Sequence, residues 1–277
     1  MRIRSHIPKA EKAFIGGSST FSIDFPENLG EEGVSVLEKG LVFQTPFGPS
    51  PRFKLIEVSE EPVLVVKMHG WRKGVSRADA SRQLFWVLQQ AGVKKIIAEG
   101  GVGSIREELH PRDLIIPHDY IDQSMRKDVS LSADYLLMMR EPICQDLSQL
   151  LFSVARNLFP RRNVVDGGVY VVTDGYHFES RAEIRAMREW GADIVGQSLC
   201  PEVYLAREIG ACYAGIYQVA NYAEGIGKDW EHAELKDIFV SEAKNIGDLL
   251  LSALSQIEPK WPCHCQELRK DTLLRDK

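Results

Sequence analysis

The chain has 277 residues, 44% of them hydrophobic, with a formal net charge of −5 and five cysteines. Its basic residues are scattered rather than clustered on one stretch, so we expect no nucleic-acid partner. No apolar run approaches the roughly 20 residues that cross a bilayer, which excludes a membrane-spanning protein. An odd number of cysteines without disulfide-framework spacing favours a reducing compartment, and we expect the cytoplasm.

Short Val- and Ile-rich runs alternate with helical patterns along the chain. Strands alternating with helices indicate an α/β fold: a mixed, mainly parallel central sheet flanked by helices. We predict one domain over 10–257 and a charged tail over 258–277. The strands are predicted at 62–70, 93–103, 110–122, 164–175, 192–195 and 210–225, and the helices at 78–92, 144–159, 180–191, 201–210 and 234–257.

Polar or glycine-rich turns follow several of these strands. Each turn alone is weak evidence, because a glycine-rich strand end is most often close packing. Together they are informative, because ligands bind beyond the carboxyl ends of the strands in open α/β sheets. The turns are FIGGSST (14–20), MHGW (68–71), EGGVGS (99–104), TDGYHFES (173–180), GQSLCPE (196–202) and VANYAEG (219–225).

The order of these motifs resembles that of a known enzyme family. FIGGSST, TPFGPSP, MHGW, GGVGSIREELHPRDLIIPHDYID and the long stretch DGYHFESRAEIRAMREWGADIVGQSLCPEVYLAREIGACYA are similar to the trimeric purine nucleoside phosphorylases, in particular their methylthioadenosine and methylthioinosine phosphorylase branch. The resemblance covers about residues 10–255. It implies a nucleoside phosphorylase-like fold, a homotrimer with active sites near subunit contacts, and phosphate as co-substrate without any further cofactor.

The resemblance also implies which residues hold phosphate and sugar. In this family phosphate attacks C1′ of a purine nucleoside while the base leaves, so the protein must hold an anion and stabilise charge moving onto the purine. His69 and two hydroxyls match groups that contact phosphate, and two glycines allow backbone N–H groups to approach it. The positions are Ser18, His69, Gly100, Gly101 and Ser198, with Gln197 beneath the sugar.

Three further positions match the residues that read the purine. Phe178 matches an aromatic residue that stacks on the base, and Glu179 and Asn221 match the pair that contacts its edge in 6-oxopurine enzymes. A 6-oxopurine presents an N1–H donor, which a carboxylate accepts, and an amide donates to O6 or N7. We therefore predict preference for 6-oxopurines, with Asn221, His69 and Glu179 as the catalytic residues.

The chain also departs from the family pattern. Met68 stands where the family has a phosphate-binding arginine, and methionine cannot form the bidentate charged contact that arginine gives. Arg72, Lys73 or Arg106 are candidates for the replacement charge. Three functions stay open: phosphorolysis with a rebuilt phosphate site, hydrolysis of the same bond by water, and purine nucleoside binding without turnover.

Two further features leave alternatives. Ile238, Phe239 or Leu249 of the last helix could line the pocket for the 5′ group of the nucleoside, although core packing explains most apolar positions of such a helix. Cys263-His264-Cys265 places three possible metal ligands together, but without a partner pair elsewhere this spacing is poor for zinc. We expect no metal there, and a free or reversibly oxidised thiol pair on a loose tail.

Overall fold

The Val- and Ile-rich segments form strands in the computed structural model, which describes residues 3–258 and 263–272. The strands at the centre of the sheet are buried on both faces, as expected when helices cover a mainly parallel sheet. In chain order the described strands are β1 (Lys12–Ile15), β2 (Val34–Leu41), β3 (Gln44–Thr45), β4 (Gly48–Pro49), β5 (Phe53–Val58), β6 (Glu61–Val66), β7 (Lys95–Ser104), β8 (Leu114–Ile116), β9 (Asp119–Asp122), β10 (Tyr135–Leu137), β11 (Val164–Asp166), β12 (Val169–Val172), β13 (Ile194–Gly196), β14 (Cys212–Tyr222) and β15 (Arg269–Asp271).

Helices cover this sheet, and local capping sets where two of them begin. Ser76 accepts a hydrogen bond from Asp79 N before α1, and Ser180 and Glu183 form a capping box before α3. No helix in the described part of the chain has the length and apolar character of a membrane span. The helices are α1 (Arg77–Ala91), α2 (Gln145–Leu158), α3 (Arg181–Glu189), α4 (Leu199–Glu208) and α5 (His232–Gln256), with 3₁₀ turns at Met68–Gly70 and Cys265–Leu268.

The sheet topology confirms the predicted mixed, mainly parallel α/β architecture. The strand order is β11-β8-β14-β7-β1-β6-β5-β2, and β7 lies at its centre between the parallel neighbours β1 and β14. The end of β7 also pairs with β13, which connects to β12 and β9. Because β7 contacts three strands, its last residues lie where several strand ends meet.

Some predicted strands differ in detail. The strands expected over 110–122 and 164–175 are each divided in two. In the second, Gly167 and Gly168 have φ angles of 107° and 140°, which interrupt a strand and are accessible mainly to glycine. The antiparallel extension formed by β2 and β5 was not predicted, although β2 alternates between half-buried and exposed residues, a pattern typical of an edge strand.

The described part of the predicted tail packs against the domain. β15 pairs antiparallel with β10, and Cys263 and Cys265 lie next to Cys144 and Cys212. The expectation that the Cys-His-Cys segment is loose and has no partner cysteines is therefore wrong, because sequence distance concealed the contact. The domain boundary at 257 stays a prediction, and residues 259–262 and 273–277 of the tail lie outside the described residues.

An ion-pair cluster fixes the middle of α5 to the rest of the protein. Glu242 is buried and accepts hydrogen bonds from Arg112 Nη1 at 2.7 Å and from Arg162 Nη2. Burial alone raises the pKa of Glu242, but the hydrogen bonds from Arg162, Asn245 and Arg112 outweigh it and hold that pKa below its ordinary value. The charged carboxylate therefore stabilises the attachment of α5.

We expect Glu242→Gln to destabilise the protein by on the order of 1–3 kcal/mol at neutral pH, because two arginines lose their carboxylate partner. A lowered carboxylate pKa contributes stability that is present above the ordinary glutamate pKa and lost as pH falls through the lowered value. The difference in Tm between wild type and variant should therefore shrink between pH 7 and about pH 3. Glu234→Gln, at an exposed position of the same helix, is the control, and an equal effect of both variants would contradict the role of Glu242.

Candidate active site

A cavity of about 320 Å³ lies over the last residues of β7, β13 and β14. This volume suits one small molecule. The structure brings all nine sequence-predicted site residues onto its wall, although the role of each stays a prediction: Ser18, His69, Gly100, Gly101, Phe178, Glu179, Gln197, Ser198 and Asn221.

The turn after β1 is organised by the carboxylate of Glu99, which is fully buried in β7. Its Oε2 accepts a hydrogen bond from Ser19 N at 3.1 Å, and its Oε1 accepts from Thr20 N at 3.2 Å, from Thr20 Oγ1 at 2.7 Å and from Gly17 N. A buried carboxylate needs such donors. Sequence reasoning missed Glu99, although an acidic residue in an otherwise apolar strand was a usable signal.

The organised turn presents Ser18 to the end of β7. Ser18 Oγ accepts a hydrogen bond from Gly101 N at 2.8 Å, so its hydroxyl hydrogen is free to donate elsewhere. A Cβ at Gly101 would lie 2.9 Å from Ser18 Oγ and 2.5 Å from the Phe239 ring, and one at Gly100 would lie 3.6 Å from Ser198 Oγ. A side chain at Gly101 would therefore collide with Ser18 and Phe239, whereas a Cβ at Gly100 would make only ordinary contacts beside Ser198.

His69 is held in a fixed orientation by the first turn of α4. Its Nδ1 lies 2.8 Å from Glu202 Oε1, and Tyr213 donates its hydroxyl to the other carboxylate oxygen at 2.8 Å. Since a carboxylate accepts, Nδ1 carries the hydrogen and Nε2 is directed toward Gly17. The place of Glu202 in the first turn of α4 thus has a structural reason. In the 3₁₀ turn after β6, Met68 and His69 adopt left-handed φ angles of 49° and 53°.

Another part of the cavity wall carries the carboxylate and amide pair. Glu179 is buried and accepts the hydroxyl hydrogen of Thr173 through Oε1. Asn221 donates one amide hydrogen to the carbonyl of Tyr222 at 2.7 Å, which leaves its second amide hydrogen for a ligand. Phe178 is 50% exposed at the cavity mouth, where a planar base could stack on it.

Two features of this side were not predicted. β14 pairs Val219 with Val102 and Asn221 with Gly103, so Ala220 is an extra residue in a β-bulge. A bulge redirects the side chains that follow it, here next to Asn221. Trp230 was also missed; its ring lies 4.6 Å from that of Phe178, and its indole N–H donates to Glu224 at 3.1 Å.

The cation of the cavity is Arg77, at the start of α1. It is the only lysine or arginine among the described residues that line the cavity, so none of the three expected replacements for the family arginine lies there. Arg72 instead binds Pro49 O and Gln83, and Arg106 pairs with Asp193. The signal for Arg77 was its place just after a helix-capping serine, which by itself does not indicate a ligand.

Arg77 is positioned for a ligand but has no carboxylate partner among the described residues within ion-pair distance. Its Nη1 donates to Gln197 Oε1 at 2.6 Å, and its guanidinium lies 4.0 Å above the Trp71 ring. Burial lowers the pKa of Arg77, and repulsion from Arg126 adds to this effect. A bound anion would offset the effects of burial and of Arg126, and so stabilise the charged form of Arg77.

The wall next to Gly101 is apolar. Leu235 and Phe239 of α5 line the cavity there. Of the three residues considered for the 5′ pocket, Phe239 is therefore on the wall, whereas Ile238 is turned away from this cavity and Leu249 is fully buried in the core. The position of Phe239 fits an apolar 5′ substituent of a small ligand.

Comparison with known proteins assigns this fold and cavity to a family. Residues 28–255 match the family model described as the phosphorylase superfamily. The chain belongs to the phosphorylase superfamily. It is 34% identical over 280 residues to a 6-oxopurine nucleoside phosphorylase of Pyrococcus furiosus, covering 93% of this chain and 97% of that protein.

Two other matches agree with this assignment. A probable S-methyl-5′-thioinosine phosphorylase of Methanopyrus kandleri is 34% identical, covering 80% of this chain and 88% of that protein. Among solved structures, the methylthioadenosine phosphorylase of Schistosoma mansoni in complex with adenine has a TM-score of 0.74 at 26% identity, covering 89% of this chain and 91% of that one. The superfamily fold is therefore present along most of the chain.

In this phosphorylase-superfamily chain we expect Glu99→Gln to disorder the turn that presents Ser18. Glutamine places N–H donors against backbone N–H donors, and each lost hydrogen bond to a charged group costs about 1.5–3 kcal/mol. The Tm of the variant should fall, and its kcat/KM for phosphate should fall at least about tenfold. Glu107→Gln, which removes an exposed carboxylate paired with Arg188, should change neither; unchanged kinetics in Glu99→Gln would refute the anchoring role.

Proposed function

We propose that this protein cleaves the N-glycosidic bond of purine ribonucleosides or their 5′-methylthio analogues by phosphorolysis, with preference for 6-oxopurines. The observation that carries the proposal is one cavity whose wall carries hydroxyls and a cation together with a carboxylate and amide pair. The 34% identity to a 6-oxopurine nucleoside phosphorylase supports the same reaction.

The proposed reaction transfers a ribosyl group from the purine to phosphate. A phosphate oxygen attacks C1′ as the bond from C1′ to N9 breaks, and the bonding electrons move onto the purine. Ser18, Ser198 and the backbone next to Gly100 hold the phosphate, with His69 oriented by Glu202. Donors that are already in place stabilise developing charge without reorganisation.

Glu179 and Asn221 give the proposed base preference. The Glu179 carboxylate accepts N1–H of a 6-oxopurine, and the free amide hydrogen of Asn221 donates to O6 or N7 as charge accumulates there. An adenine-type base offers a lone pair at N1, which repels the carboxylate. Ala223, which lines this side of the cavity, adds no second acid.

The substitution of methionine at position 68 makes hydrolysis the second candidate function. Met68 lines the cavity and cannot clamp phosphate. We propose that Arg77 supplies the missing charge, because it lines the same cavity beside Gln197 and forms no ion pair with a carboxylate of the described residues. Ser198, which follows Gln197 in the chain, belongs to the proposed phosphate site. The charge of Arg77 therefore lies close to where the anion binds.

We also propose a homotrimer with active sites near subunit contacts. Tyr176 is 97% exposed at the cavity mouth, and Phe178 beside it is half-exposed. Exposed aromatic residues at the rim of a site fit coverage by a neighbouring subunit. No disulfide joins any of the five cysteines, which fits a reducing cytoplasmic location.

The proposed reaction is tested with inosine, methylthioinosine and adenosine in the presence and absence of phosphate. We expect phosphate-dependent release of hypoxanthine and formation of the sugar 1-phosphate, with kcat/KM for adenosine at least about tenfold lower. Phosphate-independent release would instead identify a hydrolase, and saturable binding without release a binding protein. Equal turnover of inosine and adenosine would contradict the base preference alone.

Arg77→Met should raise KM for phosphate on the order of 10- to 100-fold, because a hydrogen bond to a charged group contributes about 1.5–3 kcal/mol. Steady-state kinetics with varied phosphate at saturating nucleoside measures the effect, and Arg77→Lys should restore part of the affinity. Arg72→Met is the matched control, since Arg72 binds Pro49 O and Gln83 outside the cavity. If Arg77→Met leaves the phosphate KM unchanged, another group carries the anion.

A further inference from the structure

Four of the five cysteines, from three separate parts of the chain, come together in space. The sulfur atoms of Cys144, Cys212, Cys263 and Cys265 all lie within 4.8 Å of one another, and the Cys212 and Cys263 sulfurs are 2.9 Å apart. Three of these residues are buried and Cys263 is half-buried. None of the four lines the candidate active site.

Regular structure positions the first two of these cysteines. Cys144 immediately precedes α2, where the free N–H groups of the first turn and the helix dipole stabilise a thiolate. Cys212 is the first residue of β14. Cys144 N donates to the carbonyl of Tyr213 at 2.9 Å, which fixes the start of α2 against this strand.

The segment that carries the other two cysteines is also held in place. Met138 N donates to Leu268 O at 2.9 Å beside the β10–β15 pair, and Arg269 Nη1 donates to Glu208 O at 2.5 Å. His264 Nε2 lies 3.1 Å from a carboxylate oxygen of Glu141. The segment that carries Cys263 and Cys265 is therefore held through His264, Leu268 and Arg269.

A buried positive charge next to the cluster lacks an acidic partner. Arg207 is 3% exposed, and its guanidinium donates to Cys265 O at 3.0 Å, to Glu141 O and to Pro142 O at 3.5 Å. No carboxylate among the described residues lies within ion-pair distance of it. A buried charge without a counterion is costly, so Arg207 points to an anionic centre nearby.

We propose that Cys144, Cys212, Cys263 and Cys265 bind one Zn²⁺ ion in a tetrahedral structural site. Four thiolates at the usual Zn–S distance of about 2.3 Å lie roughly 3.8 Å from one another. The widest pairs of the present cluster, at up to 4.8 Å, would therefore move closer, and the Cys212 and Cys263 sulfurs, 2.9 Å apart, would separate. Zn²⁺ binding releases the four thiol protons to solvent and leaves a centre of formal charge −2, which compensates Arg207. Two neutral disulfides would not supply that charge.

The proposed site joins the C-terminal segment to the domain. All four coordination positions are filled by protein, so no position stays open for substrate, as is typical of a structural zinc site.

The test begins with the full chain, produced without a metal-binding tag, purified under reducing conditions and analysed for zinc. We expect about one zinc ion per chain, as for other Cys₄ sites. Anaerobic titration of the chelator-treated, reduced protein with Co²⁺ should give intense visible d–d bands of a tetrahedral thiolate site, and zinc should displace them at one equivalent. Absence of both bound zinc and cobalt bands overturns the proposal.

Cysteine variants then locate the ion. Cys212→Ser and Cys265→Ser should each lower zinc affinity by more than the roughly 10- to 100-fold loss seen when an outer-sphere partner is removed. Cys200→Ser is the matched control, because Cys200 is buried but lies outside the cluster. Zinc retained by both cluster variants, or lost equally in the control, contradicts the assignment.

Two measurements distinguish a zinc site from a pair of disulfides and from a variant that fails to fold. Mass spectrometry after alkylation of the denatured protein counts free thiols; four cluster cysteines found as disulfides, with no zinc uptake after reduction, would overturn the proposal. Zinc should also raise Tm of the wild-type protein through preferential binding to the folded state, but not that of Cys265→Ser. If a variant does not fold, the Co²⁺ titration of the wild type still decides.

Discussion

The candidate site depends on one buried carboxylate. Glu99 lies in the central strand β7, and its two oxygens collect the backbone N–H groups of the turn that follows the neighbouring strand β1. Without these acceptors the turn would leave buried donors unpaired, which a folded protein avoids. The position of Ser18, its contact with Gly101 and the close approach of Gly17 to His69 all follow from this arrangement.

The same principle applies on the other walls of the cavity. Glu202 orients His69 from the start of α4, and Glu179 is held by Thr173 after β12. Each carboxylate is buried, so its hydrogen bonds meet little competition from water and fix the geometry. The sheet topology explains why these groups meet, because the last residues of β7, β13 and β14 lie together.

Motif order was sufficient to predict the fold class and the residues around the cavity, such as Phe178 and Asn221, because they lie at or just beyond strand ends in a recognisable order. The remaining features depend on long-range contacts. The role of Glu99 appears only when β1 and β7 pair, and the bulge at Ala220 only when β14 is aligned with β7. The thiol cluster joins Cys144 to residues more than a hundred positions later, so the spacing of neighbouring cysteines in the sequence does not reveal the cluster.

The exchange of the family arginine for Met68 has a structural explanation in the proposed reaction. A phosphate site needs positive charge near the anion, but that charge can come from any segment that reaches the cavity. In this chain the start of α1 reaches the cavity. Arg77 lies over Trp71 and donates a hydrogen bond to Gln197, which lies between β13 and α4. The proposed base-reading pair, Glu179 and Asn221, lies after β12 and in β14. In the proposed reaction, anion affinity and base preference therefore rest on separate parts of the fold, so one can change in sequence while the other is kept.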